Sequence, residues 1–382
     1  MKKLNDIATT IIFLVLIFGL TAATLLTPKK DFSENENRTL VTDPKFSADR
    51  LFKGEFATAY ETYLADQFVL RDKWIAIKTL SEMALLKKDI NGVYLADDNY
   101  LIEIHDPEDK AEPIDSEKAK KNSDRMIEFV KKCEQSLGEG HAKAMIVPTA
   151  VITLSDKLPA FATTYDQKAL IGYIEGRLGN SFVNVSDTLK SHSDDYIYYK
   201  TDHHWTMAGA YYAYEQWAEE IGLTPYKMSD FDIETVKDFK GTIYSKINFA
   251  FETDTLDIYR PKFDISYEVT YEKIDEKHDS LYELKHLETK DKYQVYLDGN
   301  HSVTRIDTDL YNGRVLLIIK DSYANAFATL AANHFETTYM VDFRYFRSSI
   351  SEFIEENGVT DVLVLYNAIH FSTDNYSALF EK

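Results

Sequence analysis

A single cysteine in 382 residues leaves no thiol to pair with, which excludes an intramolecular disulfide framework. Cys133 lies in Phe129-Val130-Lys131-Lys132-Cys133, a helical pattern, and reads as a helix residue without a chemical role. Basic charge is scarce too. The formal net charge is −20, and Lys2, Lys3, Lys29 and Lys30 against Asp6 leave +3 before Asp31, so the remainder carries −23. Such a surface repels anionic polymers and argues against a nucleic-acid partner. Internal repeats and low-complexity tracts are missing. The 45% hydrophobic content suits one large α/β domain, alone or with additions.

Only one long apolar run occurs. The stretch from Ile7 to Pro28 is uncharged, is preceded by Lys2-Lys3 and followed by Lys29-Lys30, and is about long enough to cross a bilayer. Thr21-Ala22-Ala23 offers small residues to a signal peptidase, but the run is longer than a usual secretory segment. Residues 1–30 are therefore read as a signal anchor at the cell membrane, with the bulk of the chain exported and secreted if the anchor is cleaved.

Residues 31–114 begin with a polar stretch, Asp31 to Leu40. Phe52, Phe56, Tyr60, Tyr63, Leu64 and Phe68 follow at helical spacing, a second helical stretch runs from Lys73 to Lys87, and Gly92 to Ile102 reads as a hairpin turning at Asp97 to Asn99. This section is expected to pack on the main body. From residue 115 to the C-terminus, helical patterns alternate with short apolar runs at 144–148, 182–185, 315–319, 338–341 and 362–366. That alternation predicts an α/β domain whose parallel sheet is covered on both faces, with reactive groups at the carboxyl edge of the strands. Residues 227–309 read as a β-rich insertion, with period-two alternation over Ile265 to Tyr271 and Lys292 to Leu297.

Ser322 follows the run Val315 to Ile319, and Tyr323 to Leu330 continues as a helix. A serine at such a turn projects its hydroxyl outward while the amides opening the helix face any oxyanion beside it, which is what an acyl-transfer nucleophile needs. By position alone, a helix cap is the plainer reading. Asp202-His203-His204-Trp205 shifts that balance, because a serine needs a base and the base needs an acid to fix its tautomer. Taking the segment as extended, side chains two apart share a side, so His204 is the base, Asp202 its partner, and His203 points away to packing or substrate. Thr206 is placed as the cap of the next helix, and Ala210, Tyr211, Tyr214, Trp217, Ala218 and Ile221 as its core stripe. Trp205 either wedges the loop or lines the pocket. A metal is the rival reading, but neighbouring residues diverge and no His-x-x-x-His or cysteine pair completes a shell, so neither metal nor cofactor is expected. Asn367, ending the last apolar run, is a candidate oxyanion donor or a plain turn residue. Tyr323 joins this oxyanion and substrate-binding group, and so does Arg344, which could meet an anionic sugar group or form a surface salt bridge.

Ser33-Glu34, Glu36-Asn37-Arg38, Gly92-Val93-Tyr94, Thr201 to Thr206 and Lys320 to Asn325 together resemble the DHHW family, named for the tetrapeptide at 202–205, and more distantly the alginate O-acetyltransferase proteins. The resemblance implies an SGNH-hydrolase-like three-layer α/β fold in which the Asp-His pair precedes the serine. It implies Ser322 as nucleophile, His204 as base and Asp202 as its partner. It further implies O-acetylation of an exported or envelope polysaccharide, with acyl groups handed across by a multi-pass membrane partner. No carbohydrate-binding module follows the catalytic part, so alginate itself is not implied. An esterase with the same residues and a non-catalytic polysaccharide-binding or assembly protein on this fold are the alternatives. The distance from Ser322 to His204 separates the last of these from the other two.

Overall fold

The computed structural model describes residues 2–36, 38–105, 116–272, 274 and 276–382, with side chains from Asp6 onward. Asn37 of the Glu36-Asn37-Arg38 element and the expected boundary at 114/115 lie outside the described residues. The chain divides into two compact units: Met1–Lys87 with Ser245–Phe249, and Lys88–Tyr244 with Ala250–Lys382. The first boundary falls at Lys87/Lys88, so the hairpin of residues 92–102 belongs to the second unit.

In the first unit α1 (Lys2–Leu26) contains a segment, Asp6–Leu26, long and apolar enough to cross a membrane. The helix expected over Phe52 to Phe68 is two helices, α2 (Ala48–Phe52) and α3 (Glu55–Asp66). Gly54, at φ 77°, breaks them apart with a left-handed residue that any side chain would strain. A further helix, α4, covers Arg71–Ala84. The Asp66 carboxylate takes both terminal nitrogens of Arg38, at 3.0 and 2.6 Å, and the Val41 amide at 2.9 Å. Glu36 takes Arg38 Nε and Arg71, each at 2.8 Å.

The second unit opens with a small antiparallel sheet, β1 (Asp89–Ile90), β2 (Val93–Leu95) and β3 (Leu101–Glu103), whose Asp97–Asn99 turn stands where the sequence places it. The order is then α5 (Ser116–Leu137), β4 (Ala142–Val147), α6 (Ala150–Thr153), α7 (Gln167–Leu178), α8 (Ser186–Ser191), α9 (Met207–Glu220), β5 (Phe231–Phe239), α10 (Thr242–Ile247), β6 (Asp254–Pro261), β7 (Tyr267–Tyr271), β8 (Lys277–His278), β9 (Val303–Thr308), β10 (Val315–Lys320), α11 (Ala324–Ala331), β11 (Thr337–Val341), α12 (Ile350–Glu356), β12 (Asp361–Asn367) and α13 (Ala368–Thr373).

Seven strands form the main sheet in the order β8-β7-β9-β11-β10-β12-β4. Strands β11, β10, β12 and β4 run parallel, as expected of apolar runs joined by helices, while β9, β7 and β8 extend the same sheet antiparallel. The purely parallel sheet is thus corrected to a mixed one, because the insertion's strands alternate at period two and pair with the free edge of β11. Strands β5 and β6 form a separate ribbon. Two expected strands are absent as such. Phe182 makes only a single parallel bridge to Ala144. Lys292–Val295 is a 3₁₀ turn, followed by left-handed backbone at Leu297 and Asp298. The alternation there reports which side chains are buried, and among the described residues the segment pairs only through an isolated antiparallel bridge from Tyr282 to Tyr296.

Side chains alternate off the parallel strands into two cores. Leu316, Ile318, Met340, Leu363, Leu365 and Met145 meet α9 and α11. Leu317, Ile319, Val341, Val362, Val364 and Ile146 meet α5, α7, α12 and α13, giving three layers. Each such fully buried residue is worth about 1.5–3 kcal/mol. Cys133 is buried in the second core, and burial raises its thiol to about 12, consistent with an inert helix residue. Tyr211, Tyr214, Trp217 and Ala218 of α9 are core, as their stripe predicts.

Candidate active site

The carboxyl ends of the parallel strands are level: Ile319 pairs with Val341, Lys320 with Leu365 and Asn367 with Val147. Ser322, Arg344 and Thr149 follow these ends, Asn367 closes β12, and all four line one cavity of about 290 Å³ with His203, Tyr323, His370, Glu103 and His105. Ser322 does not act as a side-chain cap. Tyr323 opens α11 without a side-chain cap bond, and the Ser322 hydroxyl lies 2.7 Å from Nε2 of His204.

The opposite side of the His204 ring meets Asp202, with Nδ1 2.5 Å from Oδ1. With Nδ1–H donated to the carboxylate, Nε2 is left to accept from the serine. The loop that carries the pair is a tight turn, closed by the Thr206 amide on the Ile197 carbonyl at 2.9 Å and by an antiparallel bridge from Tyr198 to Trp205. Asp202 Oδ1 also accepts the His204 amide at 3.0 Å. Asp and His meet because the aspartate folds back on its own backbone, a local habit of Asp, and not because the segment is extended.

That bend corrects the placement of His203. Its ring lies 3.8 Å from that of His204, centroid to centroid, and its Nδ1 bonds the Thr242 hydroxyl at 2.7 Å while the side chain borders the cavity. Burial lowers His203 to about 4, with His204 adding to the effect. The divergence invoked against a metal is corrected with it, since Asp202, His203 and His204 offer ligand atoms within 4.8 Å of one another. Both nitrogens of His204 already have partners in Asp202 and Ser322.

Burial pushes Asp202 upward, yet the two histidines and the Thr242 amide together hold it well below the usual carboxylate range. Its second oxygen takes the Thr242 amide at 2.8 Å and the Thr242 hydroxyl at 3.1 Å. Before Thr242 stands Gly241, where a Cβ would lie 2.1 Å from the Asp202 Cβ and 2.2 Å from Oδ2. Asp254 of β6 braces the loop, accepting the Lys200 and Thr201 amides at 2.7 Å each. Tyr293 stacks on His204 at 3.8 Å and 10°, its hydroxyl 3.2 Å from the Ser322 carbonyl. All four residues come from the insertion, and sequence reading passed over them because they lie 29 to 89 positions from the residues they touch.

The remaining candidates divide. Trp205 is fully buried, donates to the Tyr323 carbonyl at 3.0 Å and borders no part of the cavity, so it wedges the loop. Tyr323 is corrected as an oxyanion donor: its amide goes to Asp321 Oδ1 at 2.9 Å and its hydroxyl to the His203 carbonyl at 2.5 Å. Asn367 caps α13 through its side-chain oxygen, and its amide group donates to Asp321 Oδ2 at 2.8 Å. Among the described residues, its second amide hydrogen and the Ser322 backbone N–H meet no acceptor. Arg344 borders the cavity but grips the buried Asp342 through two nitrogens, 2.5 and 2.9 Å, where either a free sugar contact or a surface pair was expected.

Asp321 stands in the Lys320 to Asn325 element, but the sequence assigns it no role of its own. It is fully buried beneath Ser322 and also holds the Asn367 amide at 2.9 Å and His370 Nδ1 at 3.2 Å. Burial raises it, but His370 and these amides bring it below its ordinary value. Lys320 is buried too, bonding Asn300 and Asn325 at 2.7 Å each, and burial lowers it to about 8.

A three-layer α/β fold, with a serine at a strand end facing an Asp-x-His loop, defines an SGNH-hydrolase-like protein. The chain belongs to the DHHW family: the profile described as DHHW protein matches residues 109–341, more than half of the chain. Among solved structures it is similar to a DHHW family protein from Eubacterium siraeum, 26% identical, covering 77% of this chain and 96% of that one with a TM-score of 0.62. It is also similar to Bacillus cereus PatB1 with a sulfonyl adduct, at 21%, 76%, 96% and 0.60 respectively. The O-acetyltransferase domain of Pseudomonas putida AlgJ matches at 13% identity, over 76% of this chain and 99% of that one, with a TM-score of 0.44. No curated protein matches the chain.

Proposed function

We propose that this protein is a membrane-anchored, extracytoplasmic serine O-acyltransferase that acetylates hydroxyls of a cell-envelope or exported polysaccharide. The observation that carries the reading is the unbroken chain Asp202–His204–Ser322, with 2.5 and 2.7 Å contacts. A protein that only held glycan on this fold would have no use for it. His204 Nε2 takes the Ser322 proton as Oγ attacks the acyl carbonyl, and the proton passes to the departing donor group. The acceptor hydroxyl then attacks the acyl-serine, giving its proton to His204, which returns it to Ser322 Oγ. The Ser322 N–H and the second Asn367 amide hydrogen are the donors left for the oxyanion. A multi-pass membrane protein supplies the acyl group, and α1 holds the chain at the membrane.

PatB1 carries a sulfonyl adduct, so a sulfonyl fluoride is a suitable probe here, beside a fluorophosphonate. Wild-type protein labels at Ser322, whereas Ser322→Ala and His204→Ala do not. Asp202→Asn leaves the loop folded and slows labelling by roughly 10⁴-fold, as expected when the base adopts the wrong tautomer. Labelling that persists in Ser322→Ala sinks the reading. An activated acetyl ester offered with oligosaccharides distinguishes the reactions: acetylated sugar marks a transferase, and free acetate alone marks an esterase.

A further inference from the structure

Helix α4 is amphipathic the wrong way round for a core helix. Thr79 faces inward, fully buried, and donates to the Ile247 carbonyl at 2.7 Å within the same unit. On the opposite side Trp74 and Ile77 stand three residues apart and are 39% and 51% exposed, and Leu70, the left-handed residue that precedes the helix, is 66% exposed. Lys73 and Lys78 flank this apolar stripe. A helix that buries a threonine and offers Leu, Trp and Ile outward, with lysines at the rim, has the composition of one lying in a bilayer interface, where lysine stems run along the apolar zone to reach water.

The stripe begins where α1 ends. The corner between α3 and α4 is tied to the residues that leave α1. Gln67 exchanges hydrogen bonds with the Lys30 backbone at 3.0 and 2.8 Å, and the Val69 amide reaches the Thr24 hydroxyl at 3.4 Å. The Lys29 ammonium sits 4.8 Å over the Tyr63 ring. Leu25 and Leu26, the last residues of α1, are themselves largely exposed. Charge is distributed to match. Beyond α1, residues 27–87 hold ten Lys and Arg against ten Asp and Glu, a net charge of zero, whereas residues 88–382 carry −21. The segment nearest the anchor is thus free of the charge that an anionic leaflet would repel.

Taking α1 as a membrane anchor, we propose that the Leu70-Trp74-Ile77 face of α4 lies in the lipid interface beside it. The occupant of this face is phospholipid. The anchor then grips the membrane through a span and an interfacial helix joined at one hydrogen-bonded corner, which limits tilt and rotation about α1.

The chain's other two tryptophans, Trp205 and Trp217, are buried, so Trp74 can be read separately in the intact protein. The full chain is reconstituted in phosphatidylcholine vesicles with bromines at defined acyl depths, and the Trp74→Phe variant supplies the background. Trp74 emission is expected to be blue-shifted, quenched most by shallow bromines and shielded from acrylamide. In the paired Leu70→Asp and Ile77→Asp variant it moves red and loses lipid quenching, while the chain still floats with the vesicles. Wild-type Trp74 that is insensitive to bromolipid and open to acrylamide overturns the proposal, and is the result expected of a face kept for a protein partner. Failure to float overturns the anchor reading together with this one, whereas floating without quenching overturns this one alone.

Discussion

Replacing Gly241 by alanine tests whether the insertion seats Asp202. A Cβ built at Gly241 lies 2.1 Å from the Asp202 Cβ, and ordinary van der Waals contact begins near 3.4 Å, so the two residues must part by about 1.3 Å. Neither has an easy retreat: Asp202 is held by His204, Thr242 and its own loop, and Gly241 donates its amide to the Thr201 hydroxyl at 3.0 Å. Misplacing a catalytic group by about 1 Å costs on the order of 10²-fold in rate, and overpacking a tight site costs about 1–3 kcal/mol of stability. The rate constant for fluorophosphonate labelling of Ser322 should therefore fall about a hundredfold in Gly241→Ala, with a cooperative urea transition retained at a lower midpoint. Labelling at the wild-type rate in a folded Gly241→Ala protein would refute the view that this glycine sets the position of Asp202.

Tyr293→Leu removes the ring stacked on His204, and since such pairs are worth about 0.5–1.5 kcal/mol, labelling should slow by roughly two- to tenfold. Tyr293→Phe keeps the stack and should lose less, and equal losses would assign the effect to the hydroxyl on Ser322 instead. Lys320→Met leaves the buried Asn325 oxygen without its donor, so a loss of about 1–3 kcal/mol is expected in urea unfolding, and an unchanged midpoint would contradict it. His334, bonded to the Tyr214 hydroxyl at 2.6 Å, is lowered by burial, then by Arg314, to about 4. Between about pH 6.5 and 4 the unfolded chain therefore binds a proton that the folded chain refuses. This imidazole's contribution is fully present above the unfolded value and is lost as pH falls, by at most about 1.4 kcal/mol per pH unit. Urea midpoints measured from pH 7 to 4.5 should fall less steeply in His334→Gln, and parallel curves would show that another group governs the acid limb.

Local chemistry made much of this protein legible in its residues. Val315 to Ile319, Thr338 to Val341 and Val362 to Tyr366 announce buried parallel strands because an apolar run hidden on both faces needs no alternation, and Thr206 announces α9 because its hydroxyl accepts the Gly209 amide. Ser322, His204 and Asp202 could be singled out because a strand-end serine and an Asp-x-His turn are set by neighbours in the chain. Residues whose roles depend on distant partners could not be read in this way. The Gly241-Thr242 seat, the Tyr293 stack and the Asp321 carboxylate that occupies Asn367 all join segments far apart in sequence. The same holds for the antiparallel half of the sheet, since period-two alternation over Ile265 to Tyr271 shows that β7 has two faces but not that it pairs with β9, which no alternation marked. Periodicity and turn chemistry act over a few bonds and are written in the residues themselves, whereas the pairing of a buried polar group is decided only when tertiary packing removes water and leaves it one partner.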